Sequence, residues 1–466
     1  MPKTSAPVRK ARSNGTKQSE GSASAQLTRK LVTGMRRDFE SNPAHRVLQN
    51  AVTQVSVKSL ATSRDVVTTS DHSFSIVLDD WKVTHQMATG RCWMFAGLNL
   101  LRAGAMKKMN IKNFEFSQNF ILFWDQLEKA NYFLEAMIEL ADRDVDDRTV
   151  AFLLNRPIDD AGQWGMLTNV ISKYGLVPKA AMPESQSSSN TLEMTRIITS
   201  KLREGARTLR TRHAGKADLK SLRALKQEIL AVIHRILCIH LGTPPDALDW
   251  QWSDKKKKSH RDGTMTPHSF ARKYVTLPLE EYACLMHDPR KSSPQGRMFA
   301  VEYLGNVVGG AQVRYLNIDI ELMKRVAMRS LQNGEPVWFG CDVAKQLEEK
   351  RGVWDAGLRD LETLYGTTFS LDKPNRLLYG DTRMTHAMLF TGVDIVRGKP
   401  RRWRVENSWG EECGQDGFYI MNDSWFNEHM FEMVARKKLL PAKLQQALAR
   451  KPIVLPAWDP MGALAR

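Results

Sequence analysis

The sequence predicts an α+β fold in two lobes, helical early in the chain and sheet-bearing late, and three observations predict it. A run of good helix formers, Met94-Phe95-Ala96-Gly97-Leu98-Asn99-Leu100-Leu101-Arg102, follows Cys92. Residues 190 to 242 carry a helical period through Leu219, Leu222, Leu225, Ile229, Ile233 and Ile236. From about Tyr274 onward short strand-like runs appear, at 275–277, 337–343, 387–396 and 418–421. Helical runs followed by strand runs in separate stretches of chain read as α+β. At 466 residues with 42% hydrophobic content, the chain exceeds one ordinary domain and supports large cores.

The first residues, to Gln26, are rich in Ser, Ala, Lys and Arg and poor in large apolar side chains. Such a segment cannot bury enough surface to order itself, and the lack of an apolar h-region argues against a secretory signal. A cytosolic tail is expected; the acid-poor, Arg-bearing composition leaves a mitochondrial form open. The helix expected from Cys92 runs toward Met109, and a second helical pattern covers 120 to about 151, with Phe120, Ile121, Phe123, Trp124 and Leu127 on one side. Gly162-Gln163-Trp164-Gly165-Met166 then breaks the helices. The apolar stretch Ile229 to Leu241 is interrupted by His234, Arg235 and His240, so it reads as a packed helix and not as a membrane span. The end from Ile453 to Ala465 is apolar and proline-punctuated, where free termini are usually polar and frayed, so something should bind it.

The chemistry sits in three separated segments. Gly90-Arg91-Cys92-Trp93 places a cysteine at the start of a helix, where unpaired backbone N–H groups and the helix dipole favour a thiolate. Gln86, six residues before Cys92, can turn its amide toward the sulfur and share an oxyanion site with the Cys92 N–H. His386 opens a short apolar strand, and Asn407 closes another within Asn407-Ser408-Trp409-Gly410. Asn407 can orient the imidazole of His386 toward Cys92, with Trp409 shielding that bond from water. Alone, the cysteine reads as a small core residue and the histidine as a satisfied core polar group. With all three segments in order, and Gly414, Gly417, Phe418 and Tyr419 following, the nucleophile reading prevails.

At these residues the chain resembles the papain superfamily, whose nucleophile, base and orienting residue are Cys, His and Asn. His386 follows Cys92 by about 290 residues, against about 130 to 150 in ordinary members, so some 150 residues are inserted. Arg91 also stands where a small residue is usual. Both departures, with Phe114-Glu115-Phe116-Ser117-Gln118-Asn119, Gly162-Gln163-Trp164, Lys173-Tyr174-Gly175, 337–342, 384–387 and the ending Leu455-Pro456-Ala457-Trp458-Asp459-Pro460-Met461-Gly462-Ala463-Leu464-Ala465, resemble the bleomycin hydrolase branch, also called C-type aminopeptidases. The resemblance covers residue 28 to the end.

It implies a papain-like two-lobed peptidase with helical and hook insertions: a basic tail at 1–27, a nucleophile lobe at 28–125, a hook-like insertion at 126–215 containing the cleft-lining segment 160–180, and a helical insertion at 216–273. The second catalytic lobe then spans 274–452 and a carboxyl-terminal arm in the cleft 453–466. Gly162, Gln163, Trp164 and Trp409 are expected to line the substrate site, and the carboxylate of Ala465 to meet the substrate's ammonium, which makes the enzyme an aminopeptidase. Arg466 conflicts with that charge match, so self-trimming to Ala465 is expected. The resemblance further implies peptide substrates, activity on bleomycin and a ring-like homohexamer. A thioester mechanism on Cys92 requires no metal and no cofactor. An endopeptidase whose arm stays outside the cleft is the nearer alternative.

The net charge of +17 raises nucleic acid as a partner. Residues 1–37 hold nine Lys or Arg against Glu20, and Lys255 to Lys258 form a second cluster, so both read first as solvated surface, with weak nonspecific phosphate binding as the alternative. A noncatalytic nucleic-acid-binding scaffold is the reading from another class. Cys92, Cys238, Cys284, Cys341 and Cys413 are odd in number and lack metal or disulfide-framework spacing, which points to a reducing, cytoplasmic compartment without membrane attachment.

Overall fold

In the computed structural model, residues 25–78 and 81–465 are described, so most of the basic tail and Arg466 lie outside the described residues. Two compact units divide the chain at Ala61 and Thr62. In the first, Thr28 caps helix Arg29–Ser41 by accepting the Leu31 N–H, and Asn42 caps Pro43–Val52. Leu31, Val32, Met35 and Phe39 are all exposed.

In the second unit five helices matter to the site: α1 (Cys92–Met109), α2 (Gln118–Glu139), α3 (Trp164–Tyr174), α4 (Leu192–Ala214) and α5 (Leu219–Leu241). α1 is so apolar that residues 92 to 102 are buried without a break, as befits a helix enclosed on all sides. α2 begins at the cap Ser117 and packs against α3, α4 and α5. The period read over 190–242 resolves into α4 and α5, with Asp218 capping the second through the Ser221 N–H. Trp164, Gly165 and Met166, expected in the break, form the first turn of α3, and the chain turns just before them.

The strands, in chain order, are the hairpin pair β1 (Leu248–Ser253) and β2 (Ser259–Met265), then β3 (Tyr282–Met286), β4 (Met298–Val301), β5 (Tyr315–Asn317), β6 (Val337–Cys341), β7 (His386–Val396), β8 (Lys399–Glu406), β9 (Phe418–Asn422), β10 (Met430–Arg436) and β11 (Ile453–Leu455). Residues 248–265, inside the stretch expected to be helical, are therefore a hairpin, and Lys255 to Lys258 form its tip. The strand expected at 275–277 is absent, because helix Pro267–Tyr274 and the turn after it take that segment. The main sheet runs β11-β4-β5-β3-β10-β6-β7-β8-β9, continued at its edge by Val353–Trp354 and Leu347–Glu348, and Ile76–Val77 pairs with β7.

Both faces of the central strands are covered, which is why they read as unbroken apolar runs. Trp338, Ala387 and Leu389 enter the core shared with α1, while Val337, Phe339, Met388 and Phe390 enter the core on the opposite face. Their side chains alternate between two cores, and α1 packs across β7 and β6 with its N-terminus at the start of β7.

Candidate active site

Cys92 is the first residue of α1 and has no exposed surface. Its Sγ accepts the Ala387 N–H at 3.4 Å, so the sulfur lies against the backbone that immediately follows His386. Burial pushes its thiol up to about 12; N–H donors from Ala387 and Trp93 pull the other way and the Asp160 carboxylate adds to the rise. The N–H donors at the helix N-terminus favour the thiolate, and burial works against it.

His386 is buried, and its Nε2 lies 2.9 Å from Asn407 Oδ1. The same oxygen accepts the Ser408 backbone N–H at 2.8 Å. A backbone N–H only donates, so that atom is the amide oxygen and His386 Nε2 carries the proton. Nδ1 is then the ring nitrogen that can accept a proton. Trp409 lies over the imidazole with ring centroids 4.9 Å apart and pairs with His85 in the backbone.

Gln86 is buried beside this pair, with its backbone N–H bonded to Ser408 O at 2.8 Å. Its Oε1 accepts from Ser408 Oγ at 2.6 Å, and its Nε2 donates to Thr89 O at 2.5 Å. The carbonyl can only accept, which fixes the amide orientation. One Nε2 proton is engaged there, and the other is the one an oxyanion can take.

Gly162 exchanges two backbone hydrogen bonds with Ala465, N–H to O at 3.0 Å and O from N–H at 3.1 Å. Gln163 Nε2 donates to Ala463 O at 2.9 Å, and its Oε1 accepts from the Tyr315 hydroxyl. Trp164 is buried at the start of α3. A Cβ on Gly162 would stand 2.5 Å from the Trp93 ring, so glycine is what lets the segment lie flat on that ring. A pocket beside the arm holds about 430 Å³ and is lined by Tyr132, Ile158, Met166, Trp458 and Leu464. Cys92 and His386 meet through Ala387, Asn407 and Trp409 flank the imidazole, and Gly162 and Gln163 hold the chain end.

Other residues that hold the site went unread in the sequence. Glu406, the residue before Asn407, is buried and accepts from Trp81 Nε1 at 2.6 Å, Asn99 Nδ2 at 2.8 Å and Arg102 Nη2 at 2.6 Å. Asn99 and Arg102 belong to α1, so this carboxylate ties the nucleophile helix to the end of β8, immediately before Asn407. Burial raises the pKa of Glu406, opposed by the Arg102 charge and the Trp81 hydrogen bond. The only sequence signal was a pair of polar residues at helical spacing inside an apolar helix. Lys129 of α2 donates to Asp159 O and Ala161 O, and Trp93 Nε1 to Asp160 O, which pins the loop before Gly162. Arg91, the departure noted above, is fully buried and forks onto Glu184 at 3.1 and 2.8 Å.

The described residues contain no group of three or more His, Cys, Asp or Glu that could hold a metal ion, and no helix among them is long and apolar enough to cross a membrane. Residues 26–462 match the model of the Peptidase C1-like family. A bleomycin hydrolase of Gallus gallus is 40% identical over 450 residues, covering 94% of this chain and 99% of that one. An aminopeptidase C of Listeria monocytogenes is 39% identical over 440 residues, covering 94% and 99%, and a bleomycin hydrolase of Homo sapiens is 39% identical over 453, covering 95% and 100%. The crystal structure of PepW from Lactobacillus rhamnosis superposes with a TM-score of 0.94 at 44% identity, covering 95% of this chain and all of that one.

Proposed function

The chain belongs to the Peptidase C1-like family, and from that premise we propose that it is a cysteine aminopeptidase in which Cys92, His386, Asn407 and Gln86 carry the reaction and the chain's own end selects the amino terminus. The observation that carries this reading is the antiparallel pairing of Ala465 with Gly162, which lies on the ring of Trp93, the residue after Cys92. On this reading the end of the chain takes the ground that an endopeptidase leaves to the residues preceding the scissile bond.

Substrate enters with its first carbonyl over Cys92 and displaces the surroundings that keep the thiol protonated. The Cys92 proton passes to His386 Nδ1 as the sulfur attacks, and Asn407 Oδ1 steadies the imidazolium through Nε2. The oxyanion rests on the Cys92 N–H and the unengaged Gln86 Nε2 proton, each such donor contributing about 3 kcal/mol to the transition state. His386 returns the proton to the leaving amine, leaving a thioester. Water deprotonated by His386 then releases the amino acid and regenerates the thiol. No step draws on a metal or an organic group.

A bleomycin-hydrolysing activity belongs to the same reading, supported by the names of the relatives. So do a cytoplasmic location, supported by five unpaired cysteines, and a homohexamer, supported by apolar residues left exposed on the single chain. Weak phosphate binding at the Lys255 to Lys258 hairpin tip stands second to catalysis.

Hydrolysis of a free aminoacyl coumarin is compared with that of its N-acetyl derivative. The free amine is cleaved and the acetylated form is not. Equal cleavage of both means that the chain end does not act as a stop, and the endopeptidase reading replaces this one.

A further inference from the structure

The last stretch of the chain is held at three places, and the middle one is a fork of opposite charges. β11 adds in parallel to β4 at the sheet edge, and Ala463 and Ala465 meet Gln163 and Gly162. Between these points Asp459 faces Arg290, with Nη1 to Oδ2 at 3.1 Å and Nη2 to Oδ1 at 2.8 Å. Asp288 holds the other side of the same guanidinium: Nε donates to Oδ1 at 2.9 Å and to Oδ2 at 3.1 Å, and Nη2 to Oδ2 at 2.7 Å. Arg290 is 7% exposed and Asp288 1%. Asn317 receives the Asp288 N–H and donates to the Asp288 carbonyl, so the receptor loop is shaped from within the sheet lobe.

Asp459 does more than pair. Its Oδ1 also accepts the Met461 N–H at 2.9 Å, capping the 3₁₀ turn Pro460–Gly462 that redirects the chain toward Gly162. Just before it, the Trp458 ring stacks under the Arg148 guanidinium at 3.9 Å. A planar guanidinium between two carboxylates accepts one geometry, so it sets direction as well as attachment. Backbone pairing at Gly162 alone does not set direction: about ten residues lie between β11 and Ala465, and an untethered segment of that length samples many paths.

We propose that Asp288, Arg290 and Asp459 form a latch that fixes where the chain end stops in the cleft, which makes Arg290 and Asp459 positioning residues for amino-terminal selectivity. The inference rests on the reading of the chain end as the stop. With the latch open the end leaves its place in a fraction of molecules, and peptides with blocked amino termini gain access to Cys92.

The test measures kcat/KM for N-acetylated and free aminoacyl coumarins in four proteins: the intact chain, Asp459→Asn, Arg290→Lys and a chain ended at Pro456. The amide of Asp459→Asn keeps the Met461 cap and loses the charge that the fork requires. The expected result is a rise of at least tenfold in the acetylated-to-free ratio for Asp459→Asn, a smaller rise for Arg290→Lys, and the largest for the shortened chain. For the free amine, the loss in Asp459→Asn falls on KM more than on kcat. A purely structural role lowers both substrates alike and leaves the ratio where it was. If the shortened chain gains blocked-substrate activity and Asp459→Asn keeps the intact ratio, the latch is overturned while the chain end remains the stop. If the shortened chain shows no gain, the stop itself is wrong and the latch falls with it. Should Arg290→Lys not fold, Asp459→Asn decides alone, because it alters the arm and not the receptor loop.

Discussion

Cys92 shows two effects of opposite sign on one sulfur, and their sizes decide its resting state. A helix N-terminus favours an anion by up to about 2 kcal/mol, or about 1.5 pKa units. Full burial disfavours the charge by up to about 3 to 5 units. The thiol pushed up to about 12 therefore reflects its burial, the larger of the two effects. Glu432 on β10 shows burial acting with less opposition: its carboxyl is pushed up to about 8, opposed only by a hydrogen bond with Cys284, and its Oε1 has no partner. Near pH 4 and below, this group is protonated in both folded and unfolded chains. As pH rises toward 8 the unfolded chain ionises there and the folded chain does not, so each unit favours unfolding by up to roughly 1.4 kcal/mol. Lys373, lowered by burial to about 7, stays charged in both states through most of the range from pH 5 to 7 and adds little slope. Glu432→Gln is therefore expected to match the parent near pH 4 and to exceed it in melting temperature at pH 7. Parallel pH dependence in the two proteins would show the carboxyl to be ionised in the fold.

At the scale of elements, the site depends on how the loop before α3 lies on the start of α1. Trp93 cannot yield: its Nε1 is bonded to Asp160 O, its carbonyl accepts from Trp338 Nε1, and no part of it is exposed. A methyl group at residue 162 meets that ring at 2.5 Å, so the loop must rise and the pairing with Ala465 must break. Gly162→Ala is expected to cost about 1 to 3 kcal/mol in stability as overpacking, and to raise KM for free-amine substrates. An unchanged KM alongside a lowered melting temperature separates packing from substrate placement and counts against a role for this loop in the cleft. β11 illustrates the other dependence, since a terminal strand added to a sheet edge gives the chain end a fixed starting point.

At the scale of the whole molecule, several large apolar side chains are exposed on the single chain. Leu31, Val32, Met35 and Phe39 are exposed on helix Arg29–Ser41, as are Leu192 and Ile197 on α4 and Leu219 and Ile239 on α5. The proposal above has such residues meeting other copies of the chain, six in all. Light scattering coupled to size exclusion is expected to give about six times the 53.0 kDa of one chain. A monomeric mass at micromolar concentration would remove assembly from the proposal.

What the residues determined by themselves was local: Cys92 at a helix start, His386 and Asn407 at strand ends, the apolar chain end, and the helical period over 190–242. Each is written in spacing, capping or composition, which need no distant partner to be read. Tertiary structure alone decided the rest. Residues 275–277 have strand-like side chains, yet Val275 serves as the cap of the preceding helix, its N–H bonded to Ala271 O, and the hairpin at 248–265 lies where a helical insertion was expected. Glu406 binding Arg102, Arg290 binding Asp459 and Ala465 pairing with Gly162 join residues far apart in sequence, and nothing local marks such partners. The ionisation of Cys92 belongs with them, because burial is a property of everything packed around a group and not of its neighbours along the chain.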